Sequence, residues 1–126
     1  MNTNTHKKAM ILFAHGARAA SWAEPFERLQ KITQEQLPDV QVVLAFLELM
    51  TPQLPQVLAD FAADGMTEVT IVPIFLGQGG HVKRDLPLLV VQAQEQYPGM
   101  AIKVTETVGE QSEVLGAIAQ YCVASL

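Results

Sequence analysis

Apolar positions along this chain follow two alternating rhythms. Four short runs, at Ala9–Ala14, Val40–Leu47, Glu68–Phe75 and Ala101–Glu106, alternate with four segments in which apolar residues recur every three or four positions. Three of the runs are almost continuously apolar, the signature of parallel strands covered on both faces. The fourth, Ala-Ile-Lys-Val-Thr-Glu, alternates apolar and polar residues and suits an edge strand. The helical segments carry boundary signals of their own. Ser21-Trp-Ala-Glu24 has capping-box spacing, and Phe26, Leu29 and Ile32 follow at intervals of three. Thr51-Pro52 reads as a cap with proline at the first helical position. Leu54, Val57, Leu58 and Phe61 then form one apolar face that Asp64-Gly65 ends. Leu86, Leu89, Val90, Ala93 and Tyr97 repeat the pattern until Pro98-Gly99, and Val114, Leu115, Ile118 and Cys122 mark a last helix.

The order βαβαβαβα predicts the α/β class: a single three-layer domain, a four-stranded parallel sheet with helices on both faces. The domain is expected over residues 8–126, after a loosely held or disordered tail over residues 1–7. A strand order 2-1-3-4 would set strands 1 and 3 side by side where the winding reverses. Open α/β sheets bind ligands there, beyond the carboxyl ends of the strands.

Composition narrows the function. A chain of 126 residues, 49% hydrophobic and 17% charged, can fill one core. Its net charge of −5 argues against a nucleic-acid or anionic-membrane partner. The apolar runs fall far short of the roughly 20 residues of a membrane span. Lys7-Lys8 before Ala9–Ala14 mimics a signal peptide, but the run is shorter than an h-region of about 7–15 residues, so a cytoplasmic setting is expected. A lone cysteine, Cys122, excludes an internal disulfide and a multi-cysteine zinc site, and is expected to pack as a small apolar group in the last helix.

The unusual polar residues gather at one predicted edge. His15 directly follows strand 1, Glu48 directly follows strand 2, and His81 lies in Gly77-Gln-Gly-Gly-His-Val-Lys-Arg after strand 3. Two histidines 66 positions apart thus leave neighbouring strands at the same end. Singly, each is as readily a hydrogen-bonded loop residue; Glu48 reads as a solvated carboxylate, Glu106 as an edge-strand surface residue, and His6 as part of a polar tail. Gly77, Gly79 and Gly80 do not make a dinucleotide fingerprint, because Val82 stands where the third glycine belongs, and no P-loop is present. They would let the backbone approach a flat or bulky ligand, and their amides could receive an anion. Arg18, Lys83 and Arg84 bring positive charge to the same rim. A receiver domain would need an acidic cluster after strand 1, and a histidine phosphatase would need arginine where Ala14 stands.

Ala14-His-Gly-Ala-Arg18, Phe46-Leu-Glu-Leu-Met-Thr-Pro52 and Val72-Pro-Ile-Phe-Leu-Gly-Gln-Gly-Gly-His-Val82 together resemble the short form of the CbiX-type class II chelatases, the sirohydrochlorin cobaltochelatases. Ala17 departs from the serine common there, and Lys83-Arg84 replaces a variable pair. The resemblance implies a lyase that inserts a divalent metal, Co2+ first and Fe2+ or Ni2+ next, into a carboxylate-rich tetrapyrrole. The metal would be substrate, with no tightly bound cofactor, and the protein a homodimer sharing its cleft. The residues fit that chemistry. His15 and His81 would hold the ion jointly while leaving positions open, and Glu48 or a histidine would take the pyrrole protons. Gly79, Gly80, Val82, Arg18 and Lys83 would meet the substrate. A non-catalytic metal or tetrapyrrole carrier would use the same residues without the proton acceptor.

Overall fold

A computed structural model describes residues 7–77 and 79–126. The strands are β1 (Lys8–Ala14), β2 (Val40–Phe46), β3 (Glu68–Pro73) and β4 (Ala101–Val104). Between and after them come α1 (Glu24–Gln36), α2 (Leu54–Ala63), α3 (Gly80–Gln96) and α4 (Ser112–Ala124). Short 3-10 turns at Ala20–Ala23 and Val108–Glu110 precede α1 and α4. All strand pairs are parallel, in the order β2-β1-β3-β4 that sets β1 and β3 side by side. Met10 lies beside Val42 on one side and Thr70 on the other, which fixes the register across the sheet centre.

Alternate strand residues point to opposite faces, and the core divides accordingly. On one face Ile11, Phe13, Ala45, Val69 and Ile71 pack with Leu54, Leu58 and Phe61 of α2 and Val82 and Leu86 of α3. On the other, Ala14, Phe46 and Leu44 pack with Trp22 of the 3-10 turn before α1 and Phe26 of α1. Three side-chain amides lock helices to strands: Gln30 of α1 donates to the Val42 carbonyl, Gln34 bonds the Val42 amide and the Val40 carbonyl, and Gln94 of α3 bonds the Ile102 amide and the Met100 carbonyl. Among the described residues no helix is long and apolar enough to cross a membrane.

Several local expectations are corrected. Ser21 and Glu24 make no capping box. Ala20–Ala23 is already a 3-10 turn and Ala23 has helical angles (φ −76°, ψ −16°), so no extended residue offers its side chain to the first amides. Pro25, which has no amide to satisfy, occupies the first turn instead. Pro52 is not the first helical residue either. Its carbonyl accepts the Phe46 amide at 2.9 Å and Gln53 bridges to Phe46, so this segment extends the end of β2. The helix starts at Leu54, with Pro55 in its first turn. At its far end the expected stop is a Schellman turn: Gly65 adopts φ +78°, and the Gly65 and Met66 amides donate to Ala62 and Phe61. Residues 1–6 of the expected tail lie outside the described residues, whereas Lys7 is tied to Thr67 and Asp64.

The largest difference is at the carboxyl terminus. Helix α4 forms where the apolar spacing places it but buries none of its residues, and Cys122 is exposed rather than packed. The helix does not lie on the sheet, so the face its apolar residues were expected to cover is not beneath it.

Candidate functional site

Strands β1 and β2 run out together at the carboxyl edge, and their ladder continues past the last paired residues. The Leu47 amide donates to the Ala14 carbonyl at 2.9 Å, and the Glu48 amide to the His15 carbonyl at 3.1 Å. The two chains are so close here that a Cβ at position 16 would run into the Glu48 carbonyl, and Gly16 itself adopts φ +96°. Glycine therefore follows His15 for a backbone reason. On the other chain Leu49 takes φ +66° while the Met50 amide donates to the Glu48 carbonyl at 2.8 Å. A leucine held in the left-handed region costs about 1–2 kcal/mol and marks a tightly constrained turn directly after Glu48.

This zipping sets two side chains face to face. His15 Nε2 lies 3.2 Å from Glu48 Oε2, with the side chains 51% and 56% exposed. The His15 ring also stands edge-on to Phe75, centroids 6.2 Å apart at 78°, and Phe75 stands edge-on to the fully buried Phe13 at 5.8 Å. One side of the imidazole is backed by the core; the other faces solvent and a carboxylate. Two ligands about 2.1 Å from one ion and at right angles sit about 3 Å apart, which is the separation here. A divalent ion can replace the histidine–glutamate hydrogen bond with little rearrangement. Among the described residues no group of three or more His, Cys, Asp or Glu is placed to hold a metal.

Residue 81 lies in the first turn of α3, not in a loop: Gly79 is the N-cap and Gly80 the first helical residue. Because β1 and β3 are neighbours, His15 and this helix start at the same edge. The His81 side chain, like His6, lies outside the described residues. Gly77, Gly79 and Gly80 are exposed, and a Cβ on any of them would meet nothing within 4 Å. Internal packing therefore does not demand glycine there. Lys83 and Arg84 are exposed on the same turn, Arg84 Nε being 3.8 Å from Asp85 Oδ1, and Arg18 is exposed two residues beyond Gly16. Val82 is 4% exposed and belongs to the core, where it seats the first turn of α3 rather than offering a surface to a ligand. Glu106 is exposed past β4. Phe75, which backs the imidazole, does not stand out from the apolar run that contains it, and nothing in the residue types signals the Leu49 turn.

The CbiX family model matches residues 9–123. A sirohydrochlorin cobaltochelatase from Methanococcus aeolicus is 32% identical over 84 residues, covering 66% of this chain and 58% of that protein. A sirohydrochlorin ferrochelatase from Bacillus subtilis is 24% identical over 112 residues, 89% of this chain and 43% of that one. The chain therefore spans less than two thirds of the length of these relatives. Among solved structures, a CbiX protein from Marinobacter aquaeolei VT8 ascribed to cobalamin (vitamin B12) biosynthesis superposes with a TM-score of 0.81 at 29% identity. That match covers 94% of this chain and 96% of the other.

Proposed function

We propose that this chain, which belongs to the CbiX family, inserts a divalent metal into sirohydrochlorin or a related carboxylate-rich tetrapyrrole, Co2+ in preference to Fe2+ or Ni2+. The observation that carries the reading is the solvent-facing His15–Glu48 pair at 3.2 Å on the carboxyl edge. The order of metals is supported by the higher identity to a cobaltochelatase than to a ferrochelatase.

Insertion exchanges one divalent ion for two pyrrole N–H protons, so the site must hold a metal loosely and accept protons at the same place. His15, steadied by Phe75, is a metal donor, and His81, starting from the adjacent strand's helix, is its partner. Glu48 is either a third donor or, once the ion has moved to the macrocycle, the base that takes a pyrrole proton and passes it to water. The exposed glycines 77, 79 and 80 give a flat macrocycle close access to the backbone. Arg18 and Lys83 meet its carboxylates as charged hydrogen-bond donors. Val82 acts indirectly, by fixing the turn that carries Gly80 and Lys83. The reading includes a homodimer with a shared cleft and a cytoplasmic setting, the latter supported by the single cysteine.

Purified protein mixed with Co2+ and sirohydrochlorin, each in tenfold excess, tests the proposal through the visible spectrum of the tetrapyrrole. Conversion of most of the substrate is expected. Spectral change that stops at one equivalent per chain would identify a carrier instead.

A further inference from the structure

Two leucines stand in water at the carboxyl edge. Leu49 and Leu76 are 55% and 66% exposed, and neither belongs to the core. Each directly follows a residue that meets His15: Glu48 through its carboxylate, Phe75 through its ring. Strand β1 lies between β2 and β3, so the two leucines stand on opposite flanks of the imidazole. Apolar residues scattered singly over a surface need no explanation. These two do, because the backbone beneath each is held while the side chain is left in solvent.

Leu49 has φ +66°, in the left-handed region that glycine or asparagine enters at far lower cost. Its turn is pinned on both sides: the Met50 amide donates to the Glu48 carbonyl at 2.8 Å, and Gly16 packs against that same carbonyl. Leu76 is pinned from the other direction. The amide of Gly109, in the 3-10 turn before α4, donates to the Phe75 carbonyl at 2.9 Å, and a Cβ on Gly109 would collide with the Leu76 carbonyl. Leucine thus keeps a strained position where it adds nothing to the core, and such strain points to contact with something outside the chain. Side chains carried on an immobile backbone also lose little freedom when a ligand covers them.

Magnitudes say what that contact supplies. Arg18 and Lys83 are exposed, and an exposed ion pair improves affinity by about fivefold at most, less in salt. Covering an exposed leucine is worth about tenfold and does not depend on screening. A carboxylate-rich tetrapyrrole carries its charge at the periphery and its apolar surface at the centre. The protein shows the same division, with basic residues at the rim and leucines beside His15. We propose that Leu49 and Leu76 bear on the ring face of the tetrapyrrole, one on each side of His15, and so select a flat apolar ring where the carboxylate contacts alone would not hold it. The ligand class rests on the chelatase reading above; the contact itself is tested by binding and not by metallation.

Sirohydrochlorin binding to metal-free protein is measured by equilibrium dialysis in dilute buffer and in 1 M salt, where the Debye length is about 3 Å. Leu49→Asn and Leu76→Ser should each weaken binding about tenfold in both solutions. Their Co2+ binding should match the parent's, and in turnover the loss should fall on KM rather than kcat. Leu49→Asn should moreover unfold at the parent's denaturant midpoint or above it, since asparagine tolerates the turn. Weakened ligand binding in a protein no less stable separates contact from folding, and Leu76→Ser tests the other flank independently. Parent-like binding by either variant overturns the proposal, as does a parent that binds no sirohydrochlorin. A parent that binds sirohydrochlorin and leaves it unmetallated counts against the chelatase reading alone.

Discussion

His15 and Glu48 are exposed residues whose positions are nonetheless fixed, because the backbone zipper from Ala14 to Glu48 continues the β1–β2 ladder beneath them. Gly16→Ala breaks that arrangement twice, by placing a Cβ on the Glu48 carbonyl and by forcing alanine to φ +96°. It should cost more than about 1 kcal/mol by denaturant unfolding and move His15 away from Glu48. Glu48→Gln keeps the shape and removes the carboxylate proposed to accept a pyrrole proton. Insertion should slow by about 10²-fold or more, with cobalt binding measured by dialysis weakened far less. Equal losses in both would make Glu48 a ligand first. Imidazole ligates only as the neutral base, so protons compete with metal, and insertion should weaken on acidification; a rate that does not fall as the pH is lowered would contradict histidine ligation. His15 and Glu48 were legible because each directly follows an apolar run. The Leu49 turn was not, since leucine carries no bias toward positive φ.

At the scale of elements, the strands and the helix interiors were readable because burial imposes a period, while helix beginnings were not. Capping depends on the angles of the preceding residue, and neither Ser21 nor Thr51 is in a position to cap. Ser21→Ala should therefore change stability by less than about 0.5 kcal/mol. Gly65 is different: φ +78° at the end of α2 makes Gly65→Ala cost about 1 kcal/mol although no atom stands in the way. Both are read from chemical denaturation midpoints. Helix α3 begins six residues before the first apolar residue of its expected face, because the Gly79–Gly80 pair looks like a loop and Pro87 discourages extending the helix upstream. That shift moves residue 81 from a loop to a helical turn.

For the molecule as a whole, parallel strands end at one edge whatever their order, and the order β2-β1-β3-β4 puts the ends of β2 and β3 on either side of β1 there. Ile11, fully buried at the sheet centre, should cost about 2–5 kcal/mol when cut to alanine, seen as a lowered Tm with unchanged oligomeric mass. What the sequence could not convey is where α4 goes. Its apolar spacing is that of a helix lying on the sheet, whereas α4 buries none of its residues. The account as a whole stands on His15 as a metal donor at an open edge, and the most direct trial is cobalt insertion into sirohydrochlorin by folded His15→Ala protein. Loss of turnover to the uncatalysed rate, with the circular dichroism of the parent retained, is the predicted result; insertion at the parent's rate would contradict it.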